Sequence, residues 1–270
     1  MKFSLLLVLF ILPAACHQRQ QVRSDGPNYT LVDEYDGIVV ERFDSSVMDE
    51  NRYNLNNKIF RVGTEFIYSY LYISPSGREL RYKTTADGWE FVSPDSSDQA
   101  TITNIIIKAL PGQNDRPEYK QTVISYQLTP QTTFSISGAI ENEANLWVHP
   151  PRDDLFKVLE INPFPYVKFP LEIGNTWNWK LGIGDHWGDE RWLKWEGDIT
   201  NEYTYEVADS EVRSSKWGNL LCFETVSTAK SRLGETKLTS IFNEDVGFLE
   251  FNYVNIDGSQ IRLTLIDKID

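Results

Sequence analysis

Apolar and polar residues alternate with a period of two along much of this chain, in short runs bounded by Gly, Pro, Asn, Asp or Ser. Such alternation puts the apolar side chains on one face of a β-strand. The clearest runs lie at residues 37–43, 65–73, 101–110, 120–128, 132–140, 176–181, 202–207, 220–229, 237–242, 247–254 and 260–266. Helical period is rare, with a turn or two predicted at 142–146 or 153–159. The pattern predicts an all-β protein of about 12–15 antiparallel strands in a strongly curved sheet or half-barrel. The edge strands of such a sheet are protected by closure or by covering loops.

Two dipeptides mark tight turns between the predicted strands. Asp257-Gly258 joins the last two apolar runs, and Asp87-Gly88 stands directly before Trp89. Asp-Gly is a strong signal for a hairpin turn because glycine accepts the positive φ that such turns require. Both sites are therefore predicted to be hairpin tips.

A proline-rich segment, residues 149–170, divides the chain into a β-rich half at 29–148 and another at 171–270. Proline lacks an N–H donor and restrains the residue before it to extended geometry, so this segment cannot be a helix or a central strand throughout. We expect an extended connector packed over the surface. The aromatic residues expected to hold it in place are Phe156, Phe164, Tyr166 and Phe169.

A weak repeat flanks this connector. Residues 60–68 and 171–179 each place Val or Ile before a glycine, Gly63 or Gly174, and then aromatic residues at alternate positions. The glycine would turn the chain into a strand with one aromatic face. The repeat indicates two similar halves, or else the chance recurrence of a common turn-strand motif.

The N-terminus has the layout of an export signal. Met1-Lys2 precedes an apolar run at residues 3–12 and then Pro13-Ala14-Ala15-Cys16, and the run is too short to span a bilayer as a helix. The end of this segment resembles the lipobox of bacterial lipoproteins, although Pro13 stands where Leu is usual. The resemblance implies that residues 1–15 are removed and that Cys16 is diacylated; ordinary secretion with a Cys16 thiol is the alternative. Residues 16–28 are polar and predict a flexible tether.

Charge and cysteine content narrow the function classes. The net charge of −13 becomes −14 once Lys2 is removed with the signal, and Lys and Arg are scattered, which disfavours nucleic-acid binding. If Cys16 is acylated, Cys222 has no partner for a disulfide. Cys222 lies in the apolar run Leu220-Leu221-Cys222-Phe223 and is predicted to be a buried, inert thiol. No cofactor is expected.

The loop at residues 182–192 is the most unusual stretch. Asp185, His186, Asp189 and Glu190 are close enough in sequence to be candidate metal ligands. They lack the fixed ligand spacing of a specific calcium loop, and a solvated hairpin tip is the alternative interpretation.

Five tryptophans crowd into the same region. Trp187, Trp192 and Trp195 are candidates for stacking on a ligand, since indole rings stack on sugars and line apolar pockets. Trp177 and Trp179 share strand parity and are predicted to lie in the core. Core packing is the competing interpretation for the whole group.

The chain contains none of the common catalytic motifs: no G-x-S-x-G, H-E-x-x-H, phosphate loop or dinucleotide fingerprint. A non-enzymatic role is therefore preferred. A glycosidase-type pair of carboxylates among the 39 Asp and Glu is the alternative, although no pair stands out.

From Asn145 onward the chain resembles uncharacterised lipoproteins of Bacteroidetes bacteria. The resemblance rests on residues 146–152 and 162–165, on Phe169-Pro170-Leu171-x-x-Gly174-x-x-Trp177, on Phe242-Asn243-x-x-x-Gly247-Phe248 and on Asn255-Ile256-Asp257-Gly258. It implies an exported, lipid-anchored, β-rich protein at the outer membrane or in the periplasm, whose activity is unknown. We expect its aromatic-lined β surface to bind an apolar ligand, a glycan or a protein partner.

Overall fold

The computed structural model describes residues 29–34, 37–43, 57–111 and 121–270, so the predicted signal peptide, Cys16 and tether lie outside the described residues. Sixteen antiparallel strands form most of the described chain. They are β1 (Tyr29–Glu34), β2 (Ile38–Phe43), β3 (Glu65–Ile73), β4 (Glu79–Thr85), β5 (Gly88–Val92), β6 (Asn104–Ala109), β7 (Thr122–Thr129), β8 (Phe134–Glu141), β9 (Asn145–Val148), β10 (Tyr166–Lys168), β11 (Thr176–Ile183), β12 (Ile199–Ser215), β13 (Gly218–Ser231), β14 (Gly234–Asn243), β15 (Gly247–Val254) and β16 (Gln260–Ile269). Two 3₁₀ helices accompany them, η1 (Asp154–Ile161) and η2 (Asp185–Trp187). The all-β prediction is confirmed.

Twelve strands form one curved sheet in the order β10-β9-β8-β7-β6-β3-β16-β15-β14-β13-β12-β11. Each half of the chain contributes a six-strand meander, and the two meanders join where β3 pairs with β16, from Glu65–Ile269 to Ile73–Gln260. The β4–β5 hairpin branches from β3 through two residue pairs. β1 and β2 form a separate two-stranded sheet.

Strand alternation builds the core on the concave face of this sheet. Along β3 the residues of one parity, Phe66, Tyr68, Tyr70 and Tyr72, are buried, and those of the other parity are partly exposed. The same period-two burial continues through β12, β14 and β16. The interior is therefore dense in aromatic rings, as the alternation predicts.

The proline-rich connector fills this interior, so its predicted position on the surface is wrong. η1 buries Leu155, Phe156, Val158, Leu159, Glu160 and Ile161, and the Phe156 ring meets the Tyr70 ring edge-on at 5.3 Å. Buried backbone needs hydrogen-bond partners. The carbonyl of Ile161 accepts from Asn201 Nδ2 at 3.0 Å and from Thr236 Oγ1 at 2.9 Å. Side chains from two distant strands thus allow a helical turn to sit inside the sheet.

The two ends of the sheet, β10 and β11, meet through aromatic rings. We call this contact the aromatic seam and define it by Trp147, Phe164 and Tyr166 on one side and Trp177 and Trp179 on the other. Ring centroids lie 5.7 Å apart for Tyr166–Trp177 and 5.6 Å apart for Phe164–Trp179. Such spacings are typical of favourable aromatic pairs. The seam nearly closes the sheet on itself.

The β1–β2 hairpin docks beside the aromatic seam. Tyr166 Oη donates to the carbonyl of Gly37 at 2.6 Å, and the N–H of Val39 donates to Asn145 Oδ1 at 3.0 Å. At Gly37, φ is 140°, and an added Cβ would lie 2.4 Å from the backbone oxygen of Asn178. Glycine is therefore required where the hairpin touches β11.

The predicted turns and the weak repeat can be placed on the strands. Gly88 and Gly258 have positive φ and stand in the β4–β5 and β15–β16 connections, which confirms both hairpins. Gly63 and Gly174 have φ of 92° and 90°, and a strand begins two residues after each. This matches the predicted turn-strand motif, while the common origin of the two halves stays a prediction.

Two further features concern the thiol and the membrane. Cys222 is 1 % exposed, and burial raises the pKa of its thiol, as predicted for an inert cysteine. Within the described residues, the helices are all too short or too polar to cross a membrane.

Candidate functional site

The aromatic concave face is occupied by the protein itself. Trp177 stacks on Tyr205 at 5.3 Å and Trp179 on Tyr203 at 4.8 Å, and both indoles are almost fully buried. Their predicted place in the core is confirmed. The protein's own side chains thus fill the aromatic interior at these two tryptophans.

The tryptophan-rich loop lies against the body of the protein, and its three candidate stacking residues do not share one site. Trp187 and Trp195 are half-buried against a small cluster formed by Ile161, Ile183 and Ile199. Trp192 packs instead against the main core. The predicted solvated tip is thus wrong for these indoles, while their contact with a ligand stays a prediction.

The four candidate metal ligands of this loop do not converge. Asp185 accepts a hydrogen bond from the N–H of Gly197 at 2.8 Å. Asp189 accepts hydrogen bonds from Nε and Nη2 of Arg191, and Glu190 forms an ion pair with Lys194. Among the described residues, no three His, Cys, Asp or Glu side chains are grouped to hold a metal ion. The three carboxylates thus face separate partners, and metal binding by these four residues stays a prediction.

A groove of about 960 Å³ lies near the β8–β9 and β14–β15 turns. Its apolar lining comes from Ile59, Leu146, Phe169, Pro170, Leu171 and Phe242. The charged residues are Lys58, Glu141, Glu143, Glu172 and Glu244. Lys58 is paired with Asp245 at 2.7 Å, so carboxylates dominate the groove.

Glu141 in this groove has a structural role. Its carboxylate accepts backbone N–H groups from Lys58, Ile59 and Phe60 at 2.6–2.8 Å. Burial raises the pKa of Glu141, and the three N–H donors partly oppose that effect. The side chain fastens the chain segment that leads into β3 to the end of β8.

A second, polar pocket of about 370 Å³ lies where the β4–β5 turn, the β7–β8 turn and the start of η1 meet. Asp153 and Asp154 line it together with Thr84, Thr85, Gln131, Thr133 and Ser135. Ser135 Oγ donates to Asp153 Oδ2 at 2.5 Å. Burial and the neighbouring Asp153 charge raise the pKa of Asp154.

A buried acid–base couple lies deeper in the interior. His149 Nε2 is 3.5 Å from Glu160 Oε1, and Glu160 is 3 % exposed. Burial raises the pKa of Glu160 to about 7 and lowers that of His149 to about 4. The distance alone would suit an ion pair. However, desolvation is the main cause of both pKa shifts and penalises the charged form of each side chain, so the couple is neutral. His149 Nδ1 then donates to the carbonyl of Pro150 at 2.9 Å, which leaves Nε2 facing Glu160 as an acceptor.

Sequence reasoning did not select any of Asp153, Asp154, His149 or Glu160 as site residues. Asp153-Asp154 follows the pair Pro150-Pro151 after one residue, Arg152, and this was the only local signal available. The groove and the polar pocket join segments that are far apart in the chain. Spacing along the sequence therefore carries no signal for these two sites.

Comparison with known proteins gives two remote structural likenesses. No protein-family model matches the chain, and no curated protein matches it. A crystal structure of the hypothetical lipoprotein YmcC from Escherichia coli K12 matches with a TM-score of 0.35 and 12 % identity, over 80 % of this chain and 91 % of that one. A Bacteroides fragilis protein described as exported, with a YmcC-like fold, matches with a TM-score of 0.37 and 10 % identity, over 78 % of this chain and 97 % of that one. The proposals below rest on the residues of this chain.

Proposed function

We propose that this chain is an exported, lipid-anchored envelope protein that binds an amphipathic, positively charged ligand in the groove described above, without catalysis. The groove carries the proposal. Its volume of about 960 Å³ falls within the range of about 300–1,000 Å³ that is usual for small-molecule sites. Its mixture of apolar floor and carboxylates suits a ligand with an apolar body and a cationic head.

Charge complementarity selects the sign of the ligand. Glu172 and Glu244 are exposed at the groove, and the one lysine that lines it pairs with Asp245. The whole chain carries −13, which adds a long-range field of the same sign. An anionic amphiphile of equal length is expected to bind far more weakly.

The binding test compares octylammonium with octanoate as probes, using the full chain. A ligand that binds only the folded state raises the melting temperature. We expect octylammonium to raise it and octanoate to leave it unchanged. The double variant Glu172→Gln/Glu244→Gln should lose the effect, and Glu202→Gln/Glu206→Gln, which removes two exposed carboxylates from β12, should keep it. Equal effects of the two probes, or no effect of either, would refute the proposed ligand class.

The anchoring part of the proposal rests on the N-terminal sequence and is tested separately. Two acyl chains give a stable membrane anchor, because each buried CH₂ contributes roughly 0.8 kcal/mol. Mass spectrometry of the N-terminal peptide from a native host should find a diacylated Cys16, and Cys16→Ala should release the protein from the membrane fraction. An unmodified Cys16 would rule out lipidation while leaving the groove proposal intact.

A further inference from the structure

The β12–β13 hairpin extends beyond the strands on either side of it. β11 pairs with β12 only at residues 199–206, and β14 pairs with β13 only at residues 223–231. We call residues 209–222 the ribbon, because its two strands pair with no further strand that the structure describes. A strand with an unpaired edge presents N–H and C=O groups to which another strand can bind.

One face of the ribbon is held against the sheet. Cys222, Ile241 and Leu249 form a small buried cluster between the ribbon and the strands β14 and β15. On the same face, Arg213 Nη1 lies 3.1 Å from Glu250 Oε1 on β15. A ribbon held in this way keeps its edge in one extended conformation, so a partner strand can bind it with little loss of conformational entropy.

The opposite face of the ribbon carries an exposed apolar pair. Val212 and Leu221 lie directly opposite each other on the two strands, and they are 66 % and 51 % exposed. On β12 the neighbouring residues of this face are Ser210 and Ser214. Charged side chains, which commonly protect a free edge from pairing, are thus missing from this face of β12. The face suits contact with another uncharged strand.

The free edge of β12 presents the backbone groups of Val212 and Ser214. A two-residue turn joins Ser215 to Gly218, which are paired with each other. The pair that closes such a turn exchanges both of its backbone hydrogen bonds, and along an antiparallel pair the hydrogen-bonded residues alternate. Every second residue back from Ser215 therefore faces β13, and the residues between them direct their N–H and C=O groups to the free edge.

We propose that two copies of this chain pair edge to edge through β12, antiparallel, about a two-fold axis at Val212. This pairing joins the two ribbons into one four-stranded sheet, and the exposed apolar pairs of both copies form a continuous stripe across it. Its register places Glu211 opposite the partner's Arg213, and Arg213 opposite the partner's Glu211. Opposite charges facing each other across two strands stabilise their pairing. The order Glu-Val-Arg is therefore self-complementary, which selects a second copy as the occupant.

The association closes at two copies. A two-fold contact uses the same edge of both chains, so it leaves no further copy of that edge free. On the other edge of the ribbon, the C=O of Leu221 already accepts a hydrogen bond from Asn243 Nδ2 at 2.8 Å. The paired edge is short, and small interfaces are weak, so we expect a Kd of about 10–100 µM.

The test is sedimentation equilibrium of the full chain in a neutrally buoyant polyoxyethylene detergent, at about 0.15 M salt to screen the repulsion between two acidic chains. Val212→Glu should weaken the association by about tenfold or more, because two like charges would meet at the two-fold axis. Phe134→Glu is the matched control, since it adds the same charge on β8 at a side chain that is 62 % exposed. It should associate as the unchanged chain does. Equal urea midpoints would show that both variants are folded.

A charge exchange tests the register. Glu211→Arg places an arginine opposite the partner's Arg213. The double variant Arg213→Glu/Glu250→Arg places a carboxylate opposite the partner's Glu211 and keeps an ion pair within the chain. Each variant alone should associate more weakly than the unchanged chain. An equimolar mixture of the two should form a heterodimer, because both cross-strand pairs then join opposite charges.

Three results would overturn the proposal. The first is a chain that stays monomeric up to about 300 µM, well above the expected Kd. The second is a Val212→Glu variant that associates as strongly as the unchanged chain. The third is a pair of charge variants that associate as well alone as in their mixture. None of Glu211, Val212 and Arg213 lines the groove, so these results leave the proposed ligand binding untouched.

Discussion

The buried couple of His149 and Glu160 predicts an unusual cancellation in the pH dependence of stability. The pKa of Glu160 rises from 4.5 in the unfolded chain to about 7, so folding favours its protonated form. The stabilisation is complete below pH 4.5 and is lost as the pH rises through 7. The pKa of His149 falls from 6.5 to about 4. Its stabilisation is complete above pH 6.5 and is lost as the pH falls through 4.

Between pH 4.5 and 6.5 the two effects oppose each other. Unfolding in this window releases a proton from Glu160 and binds one to His149, so the net number of protons exchanged by the pair is close to zero. Each difference from the ordinary pKa corresponds to about 3 kcal/mol, because a tenfold change in proton affinity is worth about 1.4 kcal/mol. Between pH 4.5 and 6.5, the stability of the unchanged protein therefore reveals neither the contribution of Glu160 nor that of His149.

Single substitutions separate the contribution of Glu160 to the stability from that of His149. Glu160→Gln keeps the size of the side chain, and its stability relative to the unchanged protein should rise by about 3 kcal/mol between pH 4.5 and 7. His149→Phe keeps a ring against Phe164, whose centroid is 4.7 Å away. Its relative stability should fall by about 3 kcal/mol between pH 4 and 6.5. The assay is urea unfolding at a series of pH values, with the difference from the unchanged protein taken at each pH.

The sign of these slopes decides between a neutral couple and an ion pair. In an ion pair the pKa of Glu160 would lie below 4.5 and that of His149 above 6.5, so the difference lines would be flat between these pH values. They would slope the opposite way outside that range, below pH 4.5 for Glu160→Gln and above pH 6.5 for His149→Phe. Flat lines between pH 4.5 and 6.5 would therefore refute the neutral couple, and reversed slopes outside that range would identify an ion pair. The exposed Glu206→Gln on β12 controls for the loss of one carboxylate.

Three further substitutions test the packing. Trp177→Ala should destabilise the protein by roughly 3–5 kcal/mol, as expected for a large aromatic side chain removed from a core. Trp187→Ala removes a half-buried ring 5.7 Å from an arginine guanidinium and should destabilise it by only about 1–2 kcal/mol. Equal losses of stability in chemical denaturation would contradict this difference in burial. Gly37→Ala should destabilise the protein by about 1–3 kcal/mol because its Cβ would meet the Asn178 backbone oxygen, and an unchanged urea midpoint would show that the hairpin does not dock there. Cys222 should react with a thiol reagent only after urea unfolding; rapid labelling of the folded chain would contradict its burial.

The strands that the sequence predicts best are those with one aromatic face. The bounds of β3 and β15 match the predicted runs, because Phe or Tyr occupies every second position along β3, and Phe251 and Tyr253 do so in β15. The predicted apolar runs do not include β4 and β5, although Asp87-Gly88 indicated the turn between them. The apolar positions of β4 are only Leu80 and Tyr82, and only Tyr82 is fully buried. Local pattern thus identifies a strand when its inner face is apolar, and fails where the inner face is short or polar.

The interior position of η1 and the polar pocket depended on interactions that no local pattern contains. Proline residues flanking η1 correctly excluded a long helix, but whether the segment lies inside or outside the sheet is decided by Asn201 and Thr236 on distant strands. Likewise Thr84 and Asp154 line the same pocket although they are 70 positions apart in the chain. Only the folded sheet brings them together.

The pairing of β3 with β16 has a consequence for synthesis and folding. Glu65 pairs with Ile269, so β3 cannot complete its hydrogen bonding until nearly the entire chain has left the ribosome. Contacts this distant in sequence slow folding, because the loop must close before they contribute. Until then the N-terminal meander keeps an open edge that other chains could join. The two meanders therefore cannot join into one sheet until β16 is available to pair with β3.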